Sequence, residues 1–435
     1  MGYGLCRMPV YLPLEIKHRE LPSRLLIAAH MLAAGKPVII GNHWSMTDAA
    51  NLAALPPGAF LFKTCNKIQG AVMTDAKAAG HFVASTDEEV LVFNEDTGFT
   101  LAFSDMAAAA LDLFFAQDKN HEAALARRFQ TLRVEVVGNV RADLMRIKGG
   151  DTLTQTDPRI PALRPYLLFN MNYASINSIW NDGNALNVGV AEETGAFDGP
   201  DREARKKVFF DTVEWERGNH DAMLELLGWA VRSIKGLRFV IRPHPGERPD
   251  YWRQVTAGTM NTDVITDSDP HPWIAHAVLV VHTGCTTGLE ATLMKRPALN
   301  LLPVTRPHVG QVTDLVNPVF RTAAAAAEAM IAFLGGGGGA IAGHRYDPSK
   351  LFPGAPTGQA AQKIAARLCA AVPEDNPWRG SFADIVRTER QRTKFTVSEA
   401  EIREGLGKAA ALAKANPSRW KITTLGDSLF QITPR

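Results

Sequence analysis

Two stretches of this chain combine residue types and spacings suited to gripping a phosphate. The first is Phe239-Val-Ile-Arg242-Pro243-His244-Pro245-Gly246-Glu247, an apolar run that ends on an arginine and a proline-stiffened histidine. Arginine can fork two phosphate oxygens, and histidine can stabilise or protonate a leaving phosphate. The second is Val278-Leu-Val-Val-His282, followed by Thr283-Gly284-Cys285-Thr286-Thr287-Gly288-Leu-Glu290. Here an apolar strand meets a small-residue turn that opens a helix, whose first N–H groups are unpaired and carry the positive end of the dipole. Gly284 and Gly288 allow close backbone approach, Thr283, Thr286 and Thr287 offer hydroxyls, and Glu290 can bind the hydroxyls of a sugar or ribose. The competing reading has Thr286 or Thr287 capping the helix and Glu290 complementing its dipole.

The first half of the chain supplies carboxylates. Glu15 and Glu20 follow the opening apolar strand, and Asp87-Glu88-Glu89 follows a later one. A carboxylate at such a place can deprotonate an acceptor hydroxyl or attack an anomeric carbon, although helix capping explains acidic clusters equally well. Lys63 and Lys67 can hold an acidic substrate or simply face solvent. Asn139, Arg141 and Asp143, and likewise Asn170 and Asn172, follow strands and point toward an expected hinge, with Asn172 a candidate on the donor side. Trp180, Glu192 and Glu193 receive no role. No metal is expected, Asp267-Ser-Asp269 being the one acidic spacing that leaves the question open.

These residues need elements to position them. Strands are expected at Val10–Glu15, Val38–Gly41, Ala59–Phe62, His81–Ala84, Val90–Phe93 and Val134–Val137, with helices at Ser23–Ala34 and Leu101–Phe115 between them. The second half repeats the alternation from Tyr166, with a long helix over Lys207–Ile234 and strands at Arg238–Ile241 and Val278–Val281. Such alternation predicts parallel sheets. At 435 residues the chain exceeds a single core, so the expected fold is α/β, with two Rossmann-like domains facing a central cleft. The first domain spans 1–160 and binds acceptor, and the second spans 161–375 and binds a nucleotide-sugar. The hinge lies in the polar stretch 149–159, and a basic helical segment, 376–435, packs across both domains.

Composition narrows the function classes. With 47 Lys+Arg against 45 Asp+Glu, and no basic stripe interleaved with aromatics, nucleic acid is not an expected partner. Cys6, Cys65, Cys285 and Cys369 are scattered, which predicts neither a disulfide framework nor a zinc site. No signal peptide or membrane span is read, so the expected location is cytoplasmic. The last segment holds 11 Lys+Arg against 6 Asp+Glu, which admits peripheral contact with an anionic inner-membrane surface as well as a solvated helix.

Taken in order, Leu14-Glu15-Ile-Lys17-His-Arg19-Glu20, Lys63 to Lys67, Asp87-Glu88-Glu89, Gly138-Asn139-Val-Arg141-Ala-Asp143, Asn170-Met-Asn172, Arg242-Pro-His244-Pro245 and the Thr283–Glu290 loop resemble the bacterial surface polysaccharide biosynthesis proteins of GT-B glycosyltransferase type. The likeness runs over most of residues 9–320. The Arg-Pro-His-Pro and Thr-Gly-Cys-Thr-Thr pieces are also similar to Kdo transferases of capsule synthesis, GT-B sialyltransferases and CDP-glycerol glycerophosphotransferases, in which the His-Pro and Ser/Thr loops hold the donor phosphate. Cys285 departs from this pattern by standing where serine is common. The resemblance implies a nucleotide-sugar donor, such as a CMP-activated Kdo or nonulosonic acid, with no further cofactor, and a glycan, lipid-linked or protein acceptor. A nucleotide-sugar epimerase or hydrolase, a CDP-glycerol-type polyol-phosphate transferase and a non-catalytic binding protein share the same features.

Overall fold

Short runs of apolar residues, buried on both faces, form the inner parallel strands of each sheet, as strands covered on two sides require. In the computed structural model they are β1 (Val10–Leu14), β2 (Val38–Asn42), β3 (Ala59–Phe62), β4 (Phe82–Ser85), β5 (Leu113–Ala116), β6 (Val134–Val136), β7 (Tyr166–Asn170), β8 (Arg238–Arg242), β9 (Thr262–Val264), β10 (Leu279–His282), β11 (Ala298–Leu301), β12 (Val319–Phe320), β13 (Trp420–Gly426) and β14 (Leu429–Pro434). The structure describes residues 9–88, 90–93, 96–100, 103–147, 157–179, 188–193, 197, 202–305, 312–336, 339–344, 346, 351–372, 382–383 and 385–435. Cys6, Glu89, Trp180 and most of the expected hinge lie outside the described residues.

The chain folds into two compact units. One is drawn from Met1–Leu91, Ala102–Leu144 and Phe352–Arg435, the other from Val92–Leu101 and Met145–Leu351. The first unit holds a sheet of order β13-β14-β2-β1-β3-β4-β5-β6, and the second a sheet of order β12-β11-β10-β7-β8-β9. All pairings are parallel except those of β14 with β2 and of β13 with β14. The α/β class with two parallel-sheet units is therefore as expected.

Several boundaries differ from the sequence expectation. Val90–Val92 is a 3₁₀ turn rather than a strand. The expected helix Leu101–Phe115 is a short helix, Asp105–Ala110, followed by β5. Asp112 marks the break, because its carboxylate accepts the Val83 N–H at 2.9 Å and ties the entry of β5 to β4. The first helix begins at Lys17, six residues early, and Glu20 on its first turn accepts the Glu15 N–H at 2.8 Å.

The largest difference lies at the C-terminus. The chain rejoins the first unit at Phe352, so the helix Ala360–Ala371, assigned from the sequence to the second domain, packs against the helix Lys17–Ala33. Asp143 starts it by accepting the N–H groups of Gly358 and Ala360, at 2.8 and 3.1 Å. A later helix, Glu399–Leu412, buries Ile402, Leu406 and Ala409. Gly405 lets this helix approach Leu25 closely, since a Cβ would lie 2.6 Å from Leu25 Cδ1. The hairpin β13–β14 then extends the sheet. Gly41, at φ +150, admits it, because a Cβ there would lie 2.2 Å from the Ser428 carbonyl oxygen. Residues 376–435 thus build onto the first unit. Their helix turns its apolar side inward, and Lys394, Arg387, Arg403 and Lys408 pair with Glu15, Asp427, Glu399 and Glu404. Among the described residues no helix is long and apolar enough to cross a membrane.

Candidate functional site

In the second unit, β8, β7 and β10 lie side by side, and their carboxyl ends release three loops at the edge where open α/β sheets bind ligands. Register aligns Arg242, Asn170, His282 and Asn300 across β8, β7, β10 and β11 as one buried polar row. Glu247 and Tyr173 join the loops above it. One Glu247 oxygen accepts the N–H groups of His244 and Tyr173, each at 3.0 Å, and the other accepts the Trp252 indole N–H at 2.7 Å. The Tyr173 hydroxyl in turn meets Thr283 Oγ1 at 2.8 Å. The His244 loop and the threonine loop are therefore fixed relative to each other through two side chains.

The same geometry sorts the expected ligand-binding residues into scaffold and surface. Thr283 is fully buried and its hydroxyl serves Tyr173, so it does not stand open to a phosphate. The Gly284 N–H donates to Asn300 Oδ1 at 2.8 Å. Gly288 is small for a reason unforeseen in the sequence, because a Cβ would lie 2.2 Å from His282 Nε2 and 2.4 Å from Asn317 Oδ1. The close approach made at Gly288 is to the protein's own core. Arg242 donates to Ser268 Oγ at 3.2 Å and to the Ser268 carbonyl at 2.5 Å. Burial brings its pKa down to about 10, against the pull of Asp269, Asp157 and Asp267. What remains outward is the exposed His244 ring, half-buried Asn172, and Thr286 and Thr287 on the first turn of the helix Thr286–Leu293.

Glu290 is buried and paired rather than presented to solvent. His271 lies between it and Asp269, with Nδ1 2.8 Å from Asp269 and Nε2 3.6 Å from Glu290. Burial alone would lower the His271 pKa, but the two carboxylates raise it to about 10. A raised folded-state pKa gives stability that is complete below the unfolded value, 6.5, and lost as pH rises through about 10. The ring resonances of His271 are accordingly expected to remain those of an imidazolium from pH 6 to 8 in NMR titration, while His282, held near 4 by burial, stays neutral. A His271 midpoint near 6.5 would contradict this arrangement. Asp267, itself exposed, pairs with Arg159 at 2.8 Å, and Asp269 with His271.

The first unit presents a second polar edge. Glu15, His43, Lys63, Asp87, Glu88 and Gln117 all follow the carboxyl ends of its parallel strands. Lys63 contacts Glu15 at 2.7 Å and Glu20 at 3.0 Å, and Lys394 reaches the other Glu15 oxygen at 2.6 Å. Burial would raise the Glu15 pKa, yet the two ammonium groups bring it down to about 2. A carboxylate held that low is a weak proton acceptor, and Glu20 is fully buried behind it. Glu15 and Glu20, expected as catalytic candidates, therefore build an ion cluster that anchors the first helix. Lys67 lies at the start of another helix, Lys67–Ala78.

Asp87 and Glu88 have a different setting. They line a small cleft, with room of about 20 Å³, together with Gln117, His121 and Asn139. Glu88 Oε1 lies 4.0 Å from Arg24, while Arg141 donates to the Glu88 carbonyl at 3.4 Å. Burial raises the Glu88 pKa, with Arg24 and Arg141 opposing. His43, which sequence reasoning passed over, is neutral because burial lowers it to about 4, and its Nε2 lies 3.3 Å from both Gln69 and Thr47. The Asn42-His43 pair at a strand end was the available signal. Glu192 is exposed and paired with Arg202 at 2.8 Å.

Among solved structures, the chain is similar to a UDP-GlcNAc 2-epimerase from Methanocaldococcus jannaschii, with 13% identity, TM-score 0.52, and coverage of 83% of this chain and 99% of that one. It is also similar to the UDP-GlcNAc 2-epimerase from Neisseria meningitidis, solved bound to UDP-GlcNAc, with 12% identity, TM-score 0.50, and 83% and 99% coverage. At this identity the likeness shows the fold, which is of GT-B type. No family model matches the chain, and no curated protein matches it.

Proposed function

We propose that this chain is a GT-B-type glycosyltransferase that binds a nucleotide-linked sugar on its second unit and passes the sugar to a hydroxyl acceptor taken by the first. The observation that carries the reading is the coupling of the His244 loop to the Thr283 loop through Glu247 and Tyr173. Such coupling preorganises an imidazole and a helix N-terminus for the charge that gathers on the departing nucleotide phosphate. His244, Thr286, Thr287 and Asn172 are the contacts assigned to the donor, while Arg242, Thr283, Gly284, Gly288 and Glu290 hold the loops in place. Asp87 or Glu88 is the candidate base. The Arg-Pro-His-Pro resemblance supports a CMP-linked acidic sugar as donor, a role in surface polysaccharide synthesis, and work at the cytoplasmic side of the inner membrane.

A second reading is favoured by the neighbours' names, which make them UDP-GlcNAc 2-epimerases. An epimerase converts its donor with no acceptor present, whereas a transferase requires one. A CDP-glycerol-dependent transferase would share the acceptor requirement but not the donor.

Melting-temperature screens with CMP, CDP, UDP and GDP test the site. One nucleotide is expected to stabilise the protein by about 2.7 kcal/mol at a hundredfold excess over its Kd. His244→Ala and Thr286→Ala are each expected to weaken that nucleotide about five- to tenfold, the size of one or two lost hydrogen bonds. A response unchanged in both variants removes the assignment of the pocket. Donor consumption with and without acceptor then separates transferase from epimerase.

A further inference from the structure

The donor residues stand at the carboxyl edge of the second unit's sheet, and the opposite edge gathers cations. β7, β8, β10 and β11 run parallel, so their amino ends lie on one side. Arg164 stands two residues before β7, Arg296 two before β11 with Lys295 beside it, and Lys235 three before β8. Arg232 adds a fifth cation from the last turn of the helix Arg202–Ser233, which feeds β8. All five are exposed. The order β11-β10-β7-β8 spreads them over three strand spacings, about 14 Å.

Pairing sets this group apart. Arg159, Arg202, Lys207, Arg217, Arg238 and Arg253 of the same unit each have a carboxylate partner. Among the described residues none of the five does, and Asp263, on β9, is taken by Arg238 at 2.7 Å. Helix termini account for one of them, since Lys235 donates to the Arg232 carbonyl at 2.8 Å. The Arg164 and Arg296 side chains make no such contact among the described residues. Like charges gathered on one edge repel one another, and an anionic partner removes that cost. Half-buried Trp229, Ile234 and Leu237 flank the same edge. Cations beside an indole and aliphatic groups suit the headgroup layer of a bilayer, where lipid phosphates meet the charges and the indole lies at the interface. A single indole supplies no row of stacking platforms for a nucleic acid. The basic C-terminal segment is less suited, because Arg387, Lys394, Arg403 and Lys408 are already paired.

We propose that the amino edge of the second unit docks on an anionic phospholipid surface through Arg164, Arg232, Lys235, Lys295 and Arg296. The inference deepens the transferase reading, on which it rests for a reason to work at the inner membrane. Vesicle flotation of the full chain tests it. Binding is expected to an equal mixture of phosphatidylglycerol and phosphatidylcholine and not to phosphatidylcholine alone, and it is expected to fade toward 1 M salt, where charges are screened beyond about 3 Å. Arg164→Gln and Arg296→Gln are each expected to weaken it about fivefold, and the double variant about twenty-five-fold, at unchanged melting temperature. The double variant Lys414→Gln/Lys421→Gln, which removes two exposed cations of the C-terminal segment, is expected to bind as the unmodified chain does. Binding to neither vesicle, equal binding to both, a loss in the Lys414/Lys421 variant as large as in the Arg164/Arg296 one, or tighter binding of a short RNA than of the anionic vesicles would each overturn the proposal. The nucleotide-induced melting shift reports the carboxyl edge and is expected to persist in the Arg164/Arg296 variant, so failure of this inference and failure of the donor assignment are told apart.

Discussion

Lys63→Met is expected to destabilise the first unit by about 3–5 kcal/mol, the range seen when one partner of a buried ion pair is removed. Lys63 lies between Glu15 and Glu20, and Glu20 is wholly buried. Methionine leaves Glu20 facing an apolar tip with no cation at its place, and Glu15 retains only Lys394. Lys394→Met, at a pair one-third exposed, is expected to cost about 0–1 kcal/mol. Denaturant midpoints of the two variants, at unchanged slope, give the comparison. The pH dependence follows from the depressed Glu15 pKa. Its contribution is present above the unfolded value, 4.5, and is lost as pH falls from there through about 2. Lys63→Met is expected to flatten stability against pH over that window. Equal losses in the two lysine variants would contradict the cluster as described.

The parallel core was legible because its strands are short unbroken apolar runs between polar turns, as in Val10–Leu14 and Leu279–His282. Residues 105–116 were not, since alanines and phenylalanines run together with only Asp112 to mark the break, and a continuous apolar run has no period that separates helix from strand. The hairpin β13–β14 did carry a signal, an alternation through Trp420 and Ile422 with a Gly426-Asp427-Ser428 turn, within a segment whose basic composition equally suits a solvated helix. Chain return is harder still. Nothing local in Ala360–Ala371 tells which sheet its apolar face will cover, because that choice depends on Asp143, more than two hundred residues earlier. At the site, residue type identified the Arg242–His244 and Thr283–Glu290 segments, while the division of labour within them required partners distant in sequence. Tyr173, Asn300 and His271 take up groups of Thr283, Gly284 and Glu290 that looked available for ligand.

Glu247→Leu is expected to be the most damaging single change in the second unit, at about 4–6 kcal/mol, since orphaned buried donors cost about 1–3 kcal/mol each. The carboxylate is 1% exposed and accepts from Tyr173 N, His244 N, Trp252 Nε1 and, at 3.4 Å, Asn177 Nδ2. Leucine matches its bulk but answers none of these donors. Glu247→Gln keeps one acceptor oxygen while turning an amide N–H toward a donor, and about 1–3 kcal/mol is expected for it. Urea unfolding followed by tryptophan fluorescence reports the change directly, because Trp252 is one of the groups released. The variant also separates fold from function. Glu247 joins the His244 loop to Tyr173, and Tyr173 reaches Thr283, so Glu247→Gln is expected to lose more of the nucleotide response than its stability loss explains. Retention of the full nucleotide shift in Glu247→Gln would mean that the two loops need not be held together to grip the donor, and the coupling that carries the proposed function would have no part in it.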